Sequence, residues 1–274
     1  MANELDPAIR EHYGVGVERD RLTTGGRLEA ERTRELLARF LPGPPAVVLD
    51  VGGAEGAYAL PLAAAGYAVH LIDPMPRHVD AARAASAAQP ARLASAEVGD
   101  ARALPHADAS ADAVLLFGPL YHLVEAADRA RALAEARRVL RPGGVLLAAA
   151  ISRYASAMDG VRAGHLTDPR FAAIVDGDLT DGVHRNPDPV GRPDWFTLAY
   201  FHHPEDLRDE VAAAGFSQVR VLAVESVGAV GDTAPLLDDP AARESLMGMI
   251  RRLESEPTLL GASPHLMAVA TTAG

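Results

Sequence analysis

The sequence predicts an α/β protein with a mostly parallel sheet and helices on both faces. Apolar runs of strand length alternate with segments of helical periodicity, and glycine or proline residues mark the junctions between them. No apolar run approaches the ~20 residues of a membrane-spanning helix, and the longest, Val145–Ile151, has the length of a strand. The charged start of the chain lacks the apolar stretch of a signal peptide. We therefore expect a soluble, cytoplasmic protein.

The predicted elements follow one another in a regular order from residue 27. Residues 27–41 have the apolar spacing of a helix, which the proline and glycine residues at 42–45 end. The strands predicted after it are Ala46–Val51, Ala68–Ile72, Leu93–Val98, Ala113–Phe117, Val145–Ile151, Gln218–Glu225 and Leu266–Thr272. The helices predicted between them are Ala57–Ala65, Arg77–Ala88, Glu125–Leu140, Pro204–Ala214 and a last one from Pro240 to about Leu253.

Residues 152–203 interrupt this order. They contain five glycines, four prolines and little periodicity. A segment of this length in a compact domain is typical of a lid or substrate cap, although a disordered insertion has a similar composition. Aromatic and aliphatic residues such as Phe171, Ile174 and Trp195 favour an ordered segment.

Composition excludes several classes of function. The 26 basic and 37 acidic residues give a net charge of −11; every basic residue is arginine, and cysteine is absent. The negative charge opposes binding to a nucleic-acid backbone. Without cysteine or lysine, the chain has no thiolate metal site, thiol nucleophile, Schiff base or P-loop lysine. No paired acids or spaced histidines indicate a metal site, so we expect no metal.

The most informative stretch is the end of the first predicted strand. Asp50 and Val51 run into residues 52–56, which read Gly-Gly-Ala-Glu-Gly, and a helix follows. In this arrangement a ligand can approach backbone N–H groups at the start of the helix. Asp73 ends the second strand, where an acid can accept the hydroxyls of a ribose. A cap on the next helix is the alternative role for Asp73, and Asp50 either braces its own loop or receives a ligand's donors.

The glycine turn resembles the first motif of the class I S-adenosylmethionine-dependent methyltransferases. That motif has an acid, an apolar residue and a spaced series of glycines, and Asp50, Gly52 and Gly56 match it. Ala54 stands at the central glycine of the series, with Gly53 beside it, which departs from the family's pattern. The resemblance covers most of residues 46–150 and, more loosely, the closing strands.

Further segments resemble the family in its order. In the family, an acid after the second strand binds the ribose, and an acid with a small residue after the third strand contacts the adenine. The loop after the fourth strand lines the methyl end, and a segment before the core often folds over the cofactor. The cofactor-binding residues that this resemblance implies are Tyr13, Asp50, Gly52, Gly53, Gly56, Asp73, Pro74, Asp100, Ala101, Phe117 and Gly118.

The resemblance also implies a fold and a cofactor. The fold is a Rossmann-like sheet of seven strands in the order 3-2-1-4-5-7-6, with strand 7 antiparallel and a lid insertion, and the cofactor is S-adenosyl-L-methionine. The implied parts are an N-terminal helical cap at 1–45, a cofactor-binding core at 46–151, a lid at 152–203 and the C-terminal part of the core at 204–274.

Methyl transfer from a sulfonium needs little chemistry from the protein. It is an in-line displacement with a good leaving group, so proximity and alignment are the main contributions. A base helps where the acceptor carries a proton, and histidine suits that role. The candidate catalytic residues are His122 and Tyr121 after the fourth strand, with His122 as the base. Packing at the next helix is the alternative role of His122. His184 is a second candidate, and the arginines of residues 152–203 favour a polar or anionic acceptor.

We therefore predict a methyltransferase that modifies an O, N or C atom of a small metabolite. We expect no nucleic-acid or membrane partner, and a homodimer is left open. One rival is a protein that binds the cofactor without methylating, as a sensor or to assist a rearrangement. The other is an NAD(P)-dependent oxidoreductase, whose usual G-x-G-x-x-G turn differs from residues 52–56 here.

Overall fold

The computed structural model of the protein describes residues 6–14 and 21–274. Its helices are α1 (Pro7–Gly14), α2 (Arg27–Phe40), α3 (Ala59–Ala64), α4 (Pro76–Ala87), α5 (Pro119–His122), α6 (Ala126–Val139), α7 (Ala155–Ala163), α8 (Pro169–Asp181), α9 (Pro204–Ala213), α10 (Ala234–Asp238) and α11 (Pro240–Leu253). Its strands are β1 (Val47–Val51), β2 (Ala68–Asp73), β3 (Ser95–Val98), β4 (Ala111–Leu116), β5 (Leu140–Ser152), β6 (Val183–His184), β7 (Ala199–His202), β8 (Ser217–Ala223) and β9 (His265–Thr271). Across the described ranges, no helix has both the length and the apolar character needed to cross a membrane.

The strands form a sheet in the predicted order. β3, β2, β1, β4 and β5 lie side by side and pair in parallel, and β9 pairs with both β5 and β8. Backbone hydrogen bonds join Gly144 to Thr272 and Ser152 to Pro264, so residue numbers rise along β5 as they fall along β9. The order 3-2-1-4-5-7-6 with an antiparallel last strand is therefore confirmed, with β8 and β9 as its strands 6 and 7.

The central strands have the composition of a sheet covered on both faces. In β1, Val48, Leu49 and Val51 are buried, and in β4 the run Val114–Leu116 is fully buried. A strand in a parallel sheet that is buried on both faces reads as a continuous apolar run rather than an alternating one. Asp50 is the exception within β1, because it is a fully buried acid among these apolar residues.

β5 is longer than predicted. It begins at Leu140 instead of Val145 and continues through the proline and glycines at 142–144. Gly143 has a φ of +74°, the left-handed conformation that the residue after proline adopts in a type II turn. The Gly143 N–H donates to the carbonyl of Ala273 and the Gly144 N–H to Oγ1 of Thr272, so the turn is hydrogen-bonded to the C-terminal residues that follow β9.

Residues 152–203 are ordered and largely regular, with two helices and two strands. α8 begins at Pro169 after Asp168, whose side chain accepts a hydrogen bond from the Arg170 N–H, and it ends at Gly182 in the left-handed conformation. β7 pairs antiparallel with β6 and parallel with the end of β5. The segment has an apolar cluster of its own, formed by Phe171, Ile174, Val175 and Trp195.

The chain forms two compact units. The first consists of Met1–Leu36, Ala150–Leu207 and Val221–Met267, and it contains the cluster just described and a second around Leu28 and Ile250. The other unit consists of Leu37–Ala149, Arg208–Arg220 and Ala268–Gly274, and it contains β1 to β4 with their helices. Below, the first is called the cap unit and the other the core unit.

Candidate functional site

The turn after β1, in the core unit, depends on two adjacent glycines. Gly52 has a φ of +81°, which side-chain-bearing residues rarely adopt. A Cβ at Gly52 would lie 2.8 Å from both the carbonyl oxygen of Phe117 and Cδ of Pro119. A Cβ at Gly53 would lie 2.8 Å from the carboxyl carbon of Asp50. The backbone after β1 therefore lies directly against the backbone after β4, and only glycine leaves room for this approach.

Ala54 adopts a backbone conformation that usually belongs to glycine. Its φ is +46°, between positive values at Gly52 and Gly56. For an alanine this conformation costs roughly 1–2 kcal/mol. The Ala54 N–H donates a 2.9 Å hydrogen bond to Oδ2 of Asp73, which offsets part of that cost. The turn thus keeps the alternating positive φ of a glycine series despite the alanine.

Asp73 is buried at the end of β2 and accepts three hydrogen bonds. Oδ2 receives the Ala54 N–H, while Oδ1 receives the Met75 N–H at 2.9 Å and Nδ1 of His78 at 3.1 Å. The Met75 N–H, past Pro74, belongs to the residue before α4 begins, and no described side chain caps that helix, so the alternative role of Asp73 as a helix cap is not observed. A carboxylate has about four acceptor positions. Oδ2, with a single donor, therefore retains capacity for a ligand hydroxyl.

Asp50 is fully buried, and among residues 6–14 and 21–274 neither of its oxygens has a hydrogen-bond partner of normal geometry. Burial raises the pKa of its carboxyl, and the nearby charge of Asp73 raises it further, to about 7, against a weak interaction with the backbone N–H of Ala59. The loop amides do not donate to Asp50, so the loop-bracing role lacks its hydrogen bonds. A buried carboxylate without donors requires either a proton or a cationic partner.

Asp100 lies after β3, in the same unit. The Gly99 N–H donates to the carbonyl of Asp73, which joins the ends of β3 and β2. Both oxygens of the Asp100 carboxylate accept hydrogen bonds from the Arg102 guanidinium, which also donates to Asp128. The hydrogen bonds that Arg102 donates to Asp100 and Asp128 raise the pKa of Arg102 despite its partial burial. Asp100 is therefore held by an arginine that the sequence analysis did not single out, and Ala101 is buried beside it.

The loop after β4 brings the two predicted catalytic residues together. Gly118 has a φ of +136° and precedes the short helix α5. The Tyr121 hydroxyl is 3.9 Å from the position of a Cβ on Gly118, and its ring lies edge-on to the His122 ring at 4.7 Å. Phe117 makes an edge-on contact of 5.5 Å with Tyr58. Because Gly52 contacts this loop, Tyr121 and His122 belong to the same group of loops as the glycine turn.

Tyr13 lies in α1, in the cap unit. Its ring makes an edge-on contact with His12 at 5.3 Å, and His12 makes a second with Phe196 at 5.3 Å. The rest of the segment predicted to cover the cofactor includes residues 15–20, which lie outside the described residues. A role for Tyr13 at the cofactor stays a prediction.

The five arginines of residues 152–203 are all close to carboxylates. Their acidic partners are Asp206 for Arg153, Asp159 for Arg162, Asp168 for Arg170, Asp181 for Arg185 and Asp194 for Arg192. Arg192 also lies over the Trp195 ring at 3.9 Å. Because their charges are already paired, these arginines do not favour an anionic acceptor.

His184 is buried inside the cap unit. Nδ1 lies 3.0 Å from a carboxylate oxygen of Asp178, and Nε2 lies 2.7 Å from the carbonyl oxygen of Trp195. The ring stacks on Phe201 at 4.8 Å. Both ring nitrogens therefore have hydrogen-bond partners, and His184 joins α8, β6 and β7 of this segment.

A further polar cluster in the cap unit has no counterpart in the sequence analysis. One ligand atom each from Glu29, Glu225 and His265 lie within 4.8 Å of one another. Glu29 is paired with Arg21, and Nδ1 of His265 is 2.5 Å from Oε1 of Glu225. Each carboxylate thus has a cationic partner, and we interpret the cluster as an ion-pair network. These residues are far apart in sequence, so no spacing could have indicated it.

Comparison with protein families and curated proteins gives consistent matches. Residues 49–148 match the family model described as a methyltransferase domain. A demethylmenaquinone methyltransferase of Deinococcus radiodurans is 33% identical over 189 residues, which cover 67% of this chain and 73% of that protein. An uncharacterised methyltransferase of Mycobacterium tuberculosis is 39% identical over 112 residues, or 41% of this chain. The chain spans only 42% of the length of that mycobacterial relative.

A solved structure has a similar fold. An S-adenosylmethionine-dependent methyltransferase from Mesorhizobium loti aligns with a TM-score of 0.59 and 18% sequence identity, over 89% of this chain and 99% of that one. At this identity the likeness concerns the fold alone.

Proposed function

Because this chain belongs to the class I S-adenosylmethionine-dependent methyltransferases, we propose that it transfers the methyl group of that cofactor to an O, N or C atom of a small molecule. The observation that carries the proposal is the meeting of three loops in the core unit. The glycine turn after β1 contacts Asp73 after β2 and Phe117 after β4. Ligands of open α/β sheets bind at the carboxyl ends of such strands.

The acids of the core unit fit the positive charge of S-adenosylmethionine. The cofactor carries an ammonium and a sulfonium, and within the described part of the chain the buried Asp50 carboxylate has no hydrogen-bond partner of normal geometry. The glycines at 52 and 53 let the turn pack against Phe117 and Asp50, where a Cβ would clash, and so hold its backbone at the carboxyl ends of the strands. In this proposal Asp73 holds the ribose with Pro74 beside it, and Asp50 holds the ammonium. Asp100 and Ala101 border the adenine, and Phe117 and Gly118 border the methyl end.

The bound cofactor supplies an activated methyl group on sulfur. The protein's contribution is then to hold the acceptor atom in line with that group and to keep water away. Where the acceptor carries a proton, His122 receives it, and the edge-on contact with Tyr121 orients the His122 ring. No lysine or cysteine is needed for this chemistry, which agrees with their absence.

We propose further that the acceptor is uncharged. The net charge of −11 opposes anions, and every arginine of residues 152–203 already lies near a carboxylate. An anionic acceptor would have to displace one of these carboxylates. The Deinococcus relative's name refers to a quinone substrate, demethylmenaquinone, which is an uncharged molecule of this kind.

The test is transfer of a labelled methyl group from the cofactor. Small molecules from a cell extract are separated into neutral, anionic and cationic fractions and incubated with the protein and methyl-labelled S-adenosylmethionine. We expect label in the neutral fraction, and about a tenfold or greater loss of label with His122→Ala if the acceptor must lose a proton. Binding of the cofactor with no label in any fraction would favour the non-methylating alternative, and label in the anionic fraction would refute the uncharged acceptor.

A further inference from the structure

His78 is a buried histidine in the first turns of α4, and its side chain returns to the end of β2. The short connection through Pro74 and Met75 brings the helix back beside the strand. Nδ1 of His78 thereby lies 3.1 Å from Oδ1 of Asp73, and both side chains are buried. Buried polar contacts of this kind orient the residue that they hold.

The three donors to Asp73 divide unequally between its two oxygens. Oδ1 receives His78 and the Met75 N–H, whereas Oδ2 receives only the Ala54 N–H. A carboxylate accepts but cannot donate, so Nδ1 of His78 carries a proton. His78 therefore occupies the α4 side of the carboxylate and leaves the free acceptor position on Oδ2, which faces the glycine turn.

The repulsion between two acids makes this orientation necessary. The charge of Asp73 already raises the pKa of Asp50, so the two carboxylates interact. Without His78, the Met75 N–H alone would hold the α4 side of the Asp73 carboxylate, whose plane could then rotate about its last side-chain bond and turn the free acceptor position away from the glycine turn. A donor at Oδ1 opposes that rotation.

We propose that His78 is a positioning residue for the ribose of the cofactor, acting through Asp73; this rests on the proposed cofactor site. It contacts no ligand itself. It holds Oδ1, so that Oδ2 is presented to the ribose hydroxyls in a fixed direction.

Two amide variants separate the two nitrogens of the ring. His78→Asn places an amide N–H near the position of Nδ1, and His78→Gln places one near Nε2. The ligands are S-adenosylhomocysteine and its 2′,3′-dideoxyribose analogue, measured by titration calorimetry with the full chain. We expect His78→Gln to weaken S-adenosylhomocysteine about tenfold, the loss of one hydrogen bond to a charged group, and His78→Asn to stay within about threefold of the wild type. The dideoxy analogue should bind all three proteins equally.

Two outcomes overturn the inference without touching the proposed function. In the first, the wild type binds S-adenosylhomocysteine more tightly than the dideoxy analogue, and both variants keep this difference in full. In the second, the variants lose affinity for both ligands equally, which would indicate a purely structural role for His78. In a protein that already carries Asp73→Asn, adding His78→Gln should not weaken the binding of S-adenosylhomocysteine further. An additive loss of affinity would contradict the proposal that His78 acts through Asp73. Failure of the wild type to bind S-adenosylhomocysteine would instead refute the cofactor site.

Discussion

Asp50 differs from Asp73 and Asp100 because, among the described residues, neither of its oxygens has a donor of normal geometry. Asp73 has three donors and Asp100 has an arginine, but the two oxygens of Asp50 are buried without partners of normal geometry. Its pKa of about 7 follows from burial and from the charge of Asp73. A buried acid without donors can bind a cation, and a bound cation would favour the ionised form of that acid.

The stability of the ligand-free protein should therefore fall between pH 4 and pH 7. The folded-state pKa of Asp50 is raised from 3.8 to about 7, so the folded protein retains a proton that the unfolded chain releases. The stabilisation that this proton gives is complete below the pKa of the unfolded state and is lost as the pH rises through the pKa of the folded state. The loss in the free energy of unfolding is about 4 kcal/mol at most. Asp50→Asn should remove the loss in chemical denaturation, whereas Asp80→Asn, at an exposed acid, should retain it.

The close contact at Gly52 predicts a large effect of a single methyl group. Gly52→Ala places a side chain at a φ of +81° and 2.8 Å from the Phe117 carbonyl. We expect a loss of about 2–4 kcal/mol in the free energy of unfolding. Gly43→Ala is the matched control, because no atom lies within 4 Å of its Cβ position. Equal stabilities for the two variants would show that the turn can move aside.

At individual positions, the sequence predicted the site residues at the ends of strands. It did not predict the residues that hold those acids in place. An acid at the end of a strand and a spaced series of glycines can be recognised from the order of residues along the chain, so Asp73 and Gly52 could be predicted. His78 could not, since on a helix a single histidine among apolar residues resembles a core position. Arg102 could not either, because its partner Asp128 lies on another helix.

At the level of elements, α2 is tied to the ends of β8 and β9 through buried charges. Glu29 of α2, Glu225 after β8 and His265 at the start of β9 meet with Arg21 in one network. Burial lowers the pKa of His265, but the charges of Glu29 and Glu225 outweigh it and raise that pKa to about 9. The charged imidazolium thus contributes to holding these elements together.

The stability of the protein should consequently fall again in mild alkali. Since the folded-state pKa of His265 is raised from 6.5 to about 9, its stabilisation is complete below pH 6.5 and is lost as the pH rises through 9. Glu29→Gln removes one of the two carboxylates and should reduce this slope in urea denaturation. Glu31→Gln, on the same helix and paired with the exposed Arg243, should leave the slope unchanged. Identical slopes in both variants would contradict the network.

The elements that the sequence described least well are those of residues 152–203. Periodicity predicted β1 to β4 and α6 to within about two residues, because long apolar or helical runs define them. α7 and α8 contain glycines at 160 and 177 and so have weak periodicity. They are stabilised by local features instead: the Asp168 cap, the Gly182 terminus and packing on Trp195. Sequence order alone does not show that Trp195 packs against α8.

At the level of the whole molecule, the charge distribution agrees with a small-molecule enzyme. The surplus of acids is large, yet the arginines of residues 152–203 all lie against carboxylates rather than forming a basic surface. A methyl donor that arrives activated on its cofactor requires no lysine or cysteine, and the chain contains neither. The demands of the proposed reaction are orientation and a buried acid for a cationic cofactor, both of which belong to the core unit.

Titration calorimetry with S-adenosylmethionine and with NAD tests the central claim most directly. The two cofactors share adenosine, but only S-adenosylmethionine brings the ammonium that Asp50 is proposed to receive. We predict saturable binding of S-adenosylmethionine, no binding of NAD, and a loss of at least about tenfold in affinity for Asp73→Asn, which removes the charge that accepts the ribose hydroxyls. Tight binding of NAD, or unchanged affinity in Asp73→Asn, would contradict the account.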